Sequence, residues 1–378
     1  MTDALGAGLA DDRVEAMVAE LQPAWTIEAI HRVEEGTDFV AVLDLRTPDG
    51  PNRAVCKATT AGLVDPPIAR AEPRLLELVG SETAIPVPAV YAACERHDDL
   101  PAPFSLLQYV TGENYENRVD ELTPSQRERI CREAGRNLAE LHDLGSLPAA
   151  GTIGVADGEL GVLGAGESNS EHDTNHDHDS DGGHDTFDDH AAFDDGREWL
   201  LASVAGTLDA LESGGWFPEL ADDTERFADV VPEVRSYVED AIPALPEPDP
   251  PTYCHTDYRY GNLLVDPETG ETRAVLDWAN LAAAPPTYNL GNTESLLLTP
   301  DRDTEARTAE LRETFRSAYE TARSDWQFDA DAREWIDLSL LASRLAAMAC
   351  LPLWYEDATP AERDERAAEH REYVAESI

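Results

Sequence analysis

Four residues in the second half of the chain have the types and spacing that phosphoryl transfer to a hydroxyl demands. The stretch Cys254-His255-Thr256-Asp257-Tyr258-Arg259-Tyr260-Gly261-Asn262 sets Asp257 a short loop ahead of Asn262, and Leu276-Asp277-Trp278 supplies a second carboxylate. Such a reaction needs one carboxylate to orient the attacking hydroxyl and take its proton, and oxygen ligands that hold magnesium against nucleotide phosphates. Asp257 suits the first task; Asn262 and Asp277 suit the second. Pro267 and Gly270 mark a turn between the apolar runs Leu263-Leu264-Val265 and Ala274-Val275-Leu276, so a hairpin is expected to return Asp277 to Asn262. Arg259 is placed to stabilise charge on the γ-phosphoryl group in the transition state.

The elements that must complete such a centre lie far upstream. Lys57 is the only lysine in 378 residues, against 27 arginines, and it ends the apolar run Ala54-Val55-Cys56. A strand lysine that reaches the nucleotide phosphates and pairs with a helix glutamate is a kinase device, and a planar guanidinium does not replace its compact ammonium. The glycine-bearing hairpin segment from Glu34 to Val42 precedes it, with Gly36 as a candidate nucleotide contact. A helical period over residues 68–79 offers Glu72 as the partner of Lys57, with Glu77 as runner-up; Pro73 is tolerable there only near the first turn. Pro103-Phe104-Ser105-Leu106-Leu107-Gln108-Tyr109-Val110-Thr111-Gly112 reads as an apolar strand ending in glycine, the form of a hinge between lobes.

In order along the chain, IPVPAVY, PFSLLQYVTGENY, AGRNLAELHDLG, HTDYRYGNLLVD and AVLDW resemble the aminoglycoside phosphotransferase family of small-molecule kinases. The resemblance implies an α+β, protein kinase-like two-lobed fold: a small antiparallel β-sheet N-lobe with one helix (residues 1–109) and a larger, mostly helical C-lobe (residues 110–378). It implies ATP and Mg2+ in the cleft, with adenine held by the Gln108 carbonyl and the Val110 amide and backed by Leu107. The acceptor would be a small molecule bearing a hydroxyl, and an acidic pocket would suit a cationic one. Two positions depart from the family pattern. Thr256 stands where glycine is usual, and Asn289 replaces a carboxylate that braces the catalytic loop. A rival on the same fold is a catalytically silent nucleotide-binding protein; a protein kinase is disfavoured because neither Asp-Phe-Gly nor Ala-Pro-Glu follows Asp277.

Composition sets the surroundings. Seventy-seven Asp and Glu against 28 Lys and Arg give a net charge of −49, which argues against nucleic acid or an anionic membrane as partner. The acidity and the scarcity of lysine resemble proteins of salt-accumulating organisms. Because salt screens self-repulsion, cooperative unfolding is expected only in molar salt, and full stability in dilute buffer would contradict this. Five scattered cysteines without a CxxC pair are expected to be reduced and buried. The first residues lack a basic-then-apolar leader, and Arg344 interrupts the longest apolar run, so a cytoplasmic protein is expected.

The rest of the C-lobe reads as helices at about 123–144, 196–213, 222–242, 303–323, 330–350 and 360–376. Between them, residues 166–195 hold 11 acids and five histidines with no Lys or Arg. Asp177, Asp179, Asp181, Gly182 and Asp188 formally resemble a calcium loop, but no apolar helix precedes it and a solvated acidic insert is the expectation.

Overall fold

The computed structural model describes residues 8–33, 38–59, 64–165, 191–279, 281–298 and 304–378. Gly36 and the calcium-loop pattern lie outside the described residues. The chain opens with α1 (Asp11–Leu21), β1 (Thr26–Val33), β2 (Phe39–Arg46) and β3 (Arg53–Ala58). It continues with α2 (Pro66–Glu82), β4 (Val90–Cys94) and β5 (Phe104–Gln108). The five strands form one antiparallel sheet in the order β1-β2-β3-β5-β4.

Strand alternation gives this sheet two distinct faces. Phe39, Ala41 and Leu43 of β2 and Ala54, Cys56 and Ala58 of β3 pack with Val14, Met17 and Val18 of α1. The intervening Val40, Val42, Val55 and Lys57 therefore point to the opposite face, where they line a large cleft. The helix α1 is thus a second N-lobe helix beside the expected one, and it covers the back of the sheet. On α2, Pro73 lies beyond the first turn, contrary to the sequence-based limit. The missing N–H there removes one intrahelical bond. Burial of Leu75, Leu76 and Val79 in the core beneath offsets that loss.

The C-lobe begins with α3 (Pro124–His142), whose start is fixed by a Thr123–Gln126 capping box. Next come β6 (Gly151–Ala156), β7 (Glu159–Val162), α4 (Gly196–Glu212), α5 (Val231–Ala241) and β8 (Thr252–Cys254). The hairpin of β9 (Leu263–Val265) and β10 (Thr272–Val275) follows as expected, then β11 (Ala282–Ala284) and α6 (Pro286–Leu297). The chain closes with α7 (Glu305–Ala322), α8 (Ala330–Ala349), α9 (Leu351–Trp354) and α10 (Pro360–Ser377). The expected helix at 222–242 is shorter because Pro232 sits in its first turn, leaving 224–230 as turns. Cys56, Cys131 and Cys254 are buried thiols, whereas Cys94 and Cys350 are only half-buried.

One small sheet, ordered β7-β6-β11-β8, positions the chemistry. Strand β8 ends immediately before His255, and β11 begins shortly after Trp278. Their antiparallel pairing, Ala282 opposite Cys254, brings the two loops side by side. The loops are further stitched by Leu276 N donating to Asn262 O at 2.8 Å, and Val275 N donates to Pro86 O at 2.8 Å across the lobes.

Candidate active site

Between the lobes lies a cavity of about 2320 Å³, and Lys57, Leu107, Gln108, Val110, Asp257, Arg259, Asn262 and Asp277 all line it. Register places Lys57 opposite Val40 and Ser105, on the cleft face of β3. Its ammonium lies 2.8 Å from Glu72, 3.2 Å from Asp277 and 3.3 Å from Asp38. Glu72 is buried and Glu77 exposed, so the structure selects Glu72 as the helix partner. Asp38 was not anticipated; its only sequence signal is its place in the hairpin before β2.

Burial opposes the charge on Lys57, but Glu72, Asp277 and Asp38 outweigh it and hold the pKa well above the ordinary lysine value. Burial likewise works against the Asp277 carboxylate, yet the Lys57 ammonium prevails and lowers its pKa. For Glu72, burial dominates and raises the pKa despite Lys57. Asp277 has φ 61°, a left-handed conformation that short polar side chains tolerate better than most. The neighbouring Trp278 anchors that turn by donating Nε1–H to Val275 O at 2.9 Å.

Asp257 is held from both sides. Arg259 Nε donates to its Oδ1 at 2.8 Å, and Asn262 Nδ2 donates to its Oδ2 at 2.7 Å and to its backbone carbonyl at 2.8 Å. Burial pushes the Asp257 pKa up, with Arg259 pulling the other way. The carboxylate nevertheless keeps 40% of its side-chain surface open to the cleft, as Asp277 keeps 43%. Two neighbouring carboxylates are thus pushed in opposite directions, Asp257 up and Asp277 down. Arg259 also contacts Glu116 at 3.0 Å, a partner that sequence reading missed within the segment GENYENR. A Cβ on Gly261 would displace the end of the Arg259 side chain and crowd Glu116.

The two departures noted in the sequence have structural answers. Among the described non-glycine residues only Asp157 and Asp277 have positive φ, so Thr256 occupies backbone that does not require glycine. Asn289, fully buried, accepts from His255 N at 3.2 Å and donates Nδ2–H to His255 O at 2.8 Å. Its Oδ1 also lies 3.1 Å from His142 Nε2. Asn292 donates to the Thr256 carbonyl. His255 completes the bracing: its Nδ1 accepts from Asp257 N at 3.3 Å, so Nε2 carries the proton donated to Leu276 O at 3.0 Å. Burial lowers the His255 pKa, which keeps this neutral tautomer.

Burial lowers His142 and His370 to about 3, so both fold as neutral rings. Between their folded and unfolded pKa values the unfolded chain binds more protons, so stability is lost as pH falls below about 6.5. The expected loss is on the order of 2 kcal/mol per histidine at pH 5, measured by denaturant unfolding at fixed molar KCl to screen the net charge. Removing one ring by His370→Gln is expected to flatten that pH dependence.

The oxygen donors Asn262 and Asp277 suit a hard cation. No group of three or more His, Cys, Asp or Glu among the described residues could hold a metal alone. Magnesium fits this sparse set, because it commonly takes one or two protein ligands and completes its shell with phosphates and water. Val40, Val55 and Leu107 from the upper sheet and Leu264 and Leu276 from the lower lobe add apolar surface to the same cavity. At its edge Gln108 N donates to Ala89 O at 2.8 Å and Gln108 Oε1 accepts from Ala89 N at 3.2 Å, fixing the end of β5.

An antiparallel sheet lobe and a helical lobe around this cleft define a kinase-like phosphotransferase fold, and comparison with known proteins agrees. A family model described as phosphotransferase enzyme family matches residues 29–335, and the chain belongs to that family. Among solved structures, aminoglycoside phosphotransferase APH(4)-Ia in a ternary complex with AMP-PNP and hygromycin B aligns with TM-score 0.52 at 13% identity, covering 96% of this chain and 99% of the other. The GDP and kanamycin complex of APH(2")-IIIa aligns with TM-score 0.54 at 14% identity, covering 96% and 97%. An ethanolamine kinase of Plasmodium vivax aligns with TM-score 0.51 at 11% identity, covering 93% and 82%. No curated protein sequence matches the chain. No helix among the described residues is long and apolar enough to cross a membrane.

Proposed function

We propose that this protein transfers the γ-phosphoryl group of ATP, bound with Mg2+, to a hydroxyl of a small molecule. The observation that carries this reading is the convergence of Lys57, Glu72, Asp257, Asn262 and Asp277, drawn from widely separated segments, on one cleft. In it Lys57, oriented by Glu72, holds the α- and β-phosphates; Leu107 backs the adenine, and the Gln108 carbonyl and Val110 amide bond its edge. Asn262 Oδ1 and Asp277 would hold the magnesium ion, which would supply charge neutralisation on the phosphate oxygens. Asp257 accepts the acceptor's proton as that oxygen bonds to the γ-phosphorus; the bond from γ-phosphorus to the β–γ bridging oxygen breaks, and ADP leaves with the electron pair. A carboxylate offers about four lone-pair sites, so a hydroxyl can join Arg259 and Asn262 at Asp257. Its raised pKa makes it a better base near neutrality than an ordinary carboxylate.

Arg259 lines the cleft beside Asp257, and in this reading its guanidinium stabilises charge on the transferring group. Arg259→Ala is expected to lower kcat by about 10²-fold with a far smaller change in ATP affinity. Equal losses in both would remove it from the transition state. The function is tested by incubating the protein with Mg-ATP or Mg-GTP in molar KCl against aminoglycosides and metabolite alcohols, with mass spectrometry reading phosphate adducts. Nucleotide-induced thermal stabilisation without any adduct would favour the silent nucleotide-binding alternative.

A further inference from the structure

The ammonium of Lys57 is surrounded by more negative charge than it can balance. It has three N–H donors; Glu72 and Asp277 accept from it at 2.8 and 3.2 Å, and Asp38 stands at 3.3 Å as a third carboxylate. Two of the three have work in the reading above. Glu72 orients the lysine from α2, and Asp277, turned to the cleft, would meet magnesium. Asp38 has neither task, and among the described residues Lys57 is the one cation that it pairs with.

Strand alternation fixes where Asp38 points. The next residue, Phe39, lies opposite Ala58 and is buried with α1 in the core behind the sheet. Val40, opposite Lys57, faces the cleft. Two residues before Val40, Asp38 falls on the same side as Val40 and Lys57, and it lines the cavity. The burial of Phe39 pins the adjoining backbone, so the Asp38 carboxylate cannot withdraw far from Lys57 without drawing an aromatic ring out of the core.

We propose, resting on the nucleotide-binding part of the reading above, that Asp38 sets nucleotide affinity by competing with the phosphates for Lys57, and so makes tight binding depend on Mg2+. Phosphate oxygens that bond Lys57 must take over donors that carboxylates now hold. Asp277 can release its share because magnesium answers its charge, and Glu72 can stay as the buried partner on α2. Asp38 remains beside the phosphates as uncompensated negative charge. Free ATP meets both Asp38 and Asp277, whereas Mg-ATP brings the cation that offsets them. The Asp38–Lys57 pair is largely shielded from water, so molar salt screens this competition much less than it screens the surface.

The test is isothermal titration calorimetry of the full chain in molar KCl, with Mg-ATP and, in EDTA, free ATP titrated into the parent, Asp38→Asn, Asp38→Ala and Asp38→Glu. The Asn and Ala variants are each expected to bind free ATP about tenfold more tightly than the parent or better, and Mg-ATP only about threefold more tightly. Asp38→Glu keeps the charge and is expected to keep the parent's preference for the magnesium form. Denaturant unfolding reports that each variant is folded. Weaker binding of both forms in the Asn and Ala variants would make Asp38 a support for Lys57 and overturn the proposal; unchanged binding, or an equal gain for both forms, would overturn it too. The parent separates this role from the reading beneath it: nucleotide binding by the parent without a gain in the variants removes only the role of Asp38, whereas no nucleotide binding by any of the four proteins removes the nucleotide reading and the proposal together.

Discussion

Asp257→Asn is expected to lower kcat by about 10²–10⁴-fold while leaving Mg-ATP affinity within about threefold, measured by steady-state kinetics and nucleotide titration. The geometry explains why even this near-isosteric change is costly. Asp257 accepts from Arg259 on one oxygen and from Asn262 on the other. An amide in its place must turn its NH2 toward one of those donors, so it loses both the proton acceptor and one of the bonds that hold it. In the parent enzyme the acid limb of kcat/KM is expected above the ordinary aspartate value of 3.8, because burial raises the Asp257 pKa and the base works only when ionised. An acid limb at or below 3.8 would take the base role from this residue.

The second large effect is expected at Asn289. Restoring the family's carboxylate by Asn289→Asp is expected to destabilise this protein by about 2–3 kcal/mol and to lower activity with it, read by denaturant unfolding and by kcat. The amide donates to His255 O and accepts from His255 N, a reciprocal pair that a carboxylate cannot make. The charge would lie fully buried against a carbonyl, beside a His142 ring that burial keeps neutral. Since burial raises a carboxylate's pKa, the folded variant would bind the extra proton and its deficit would grow as pH rises. A variant as stable as the parent would mean that the loop is braced elsewhere. This loop was the place where sequence alone gave reason for doubt; Asn289 bonds both backbone groups of His255, and the Thr256 backbone needs no glycine.

What could be read from sequence follows from how each feature is encoded. The juxtaposition of Asp257, Asn262 and Asp277 was legible because these residues are close in sequence and joined by a hairpin with its own turn signals. Lys57 was legible because it is chemically unique in the chain, and Glu72 because helical period limited the choice to two glutamates that burial then separates. Asp38, Glu116, His142 and Asn292 were not legible, since each acts through a contact across the fold and none belongs to a local motif. The helix α1 was missed for a different reason: its apolar positions are few and its flanks carry no cap bond. The three-residue strands β8 and β11 are too short to show a period, although their pairing is what sets the two functional loops together.

The central claim is that Lys57, Asp257, Asn262 and Asp277 form one phosphoryl-transfer centre. Its most direct test is single-turnover transfer from γ-labelled ATP in molar KCl with Mg2+ and the acceptor that the adduct screen identifies, comparing the parent with Asp257→Asn. Label in an organic phosphate ester with the parent and its loss in the variant is the predicted result; label found only as inorganic phosphate, or equal ester formation by both proteins, would contradict the account.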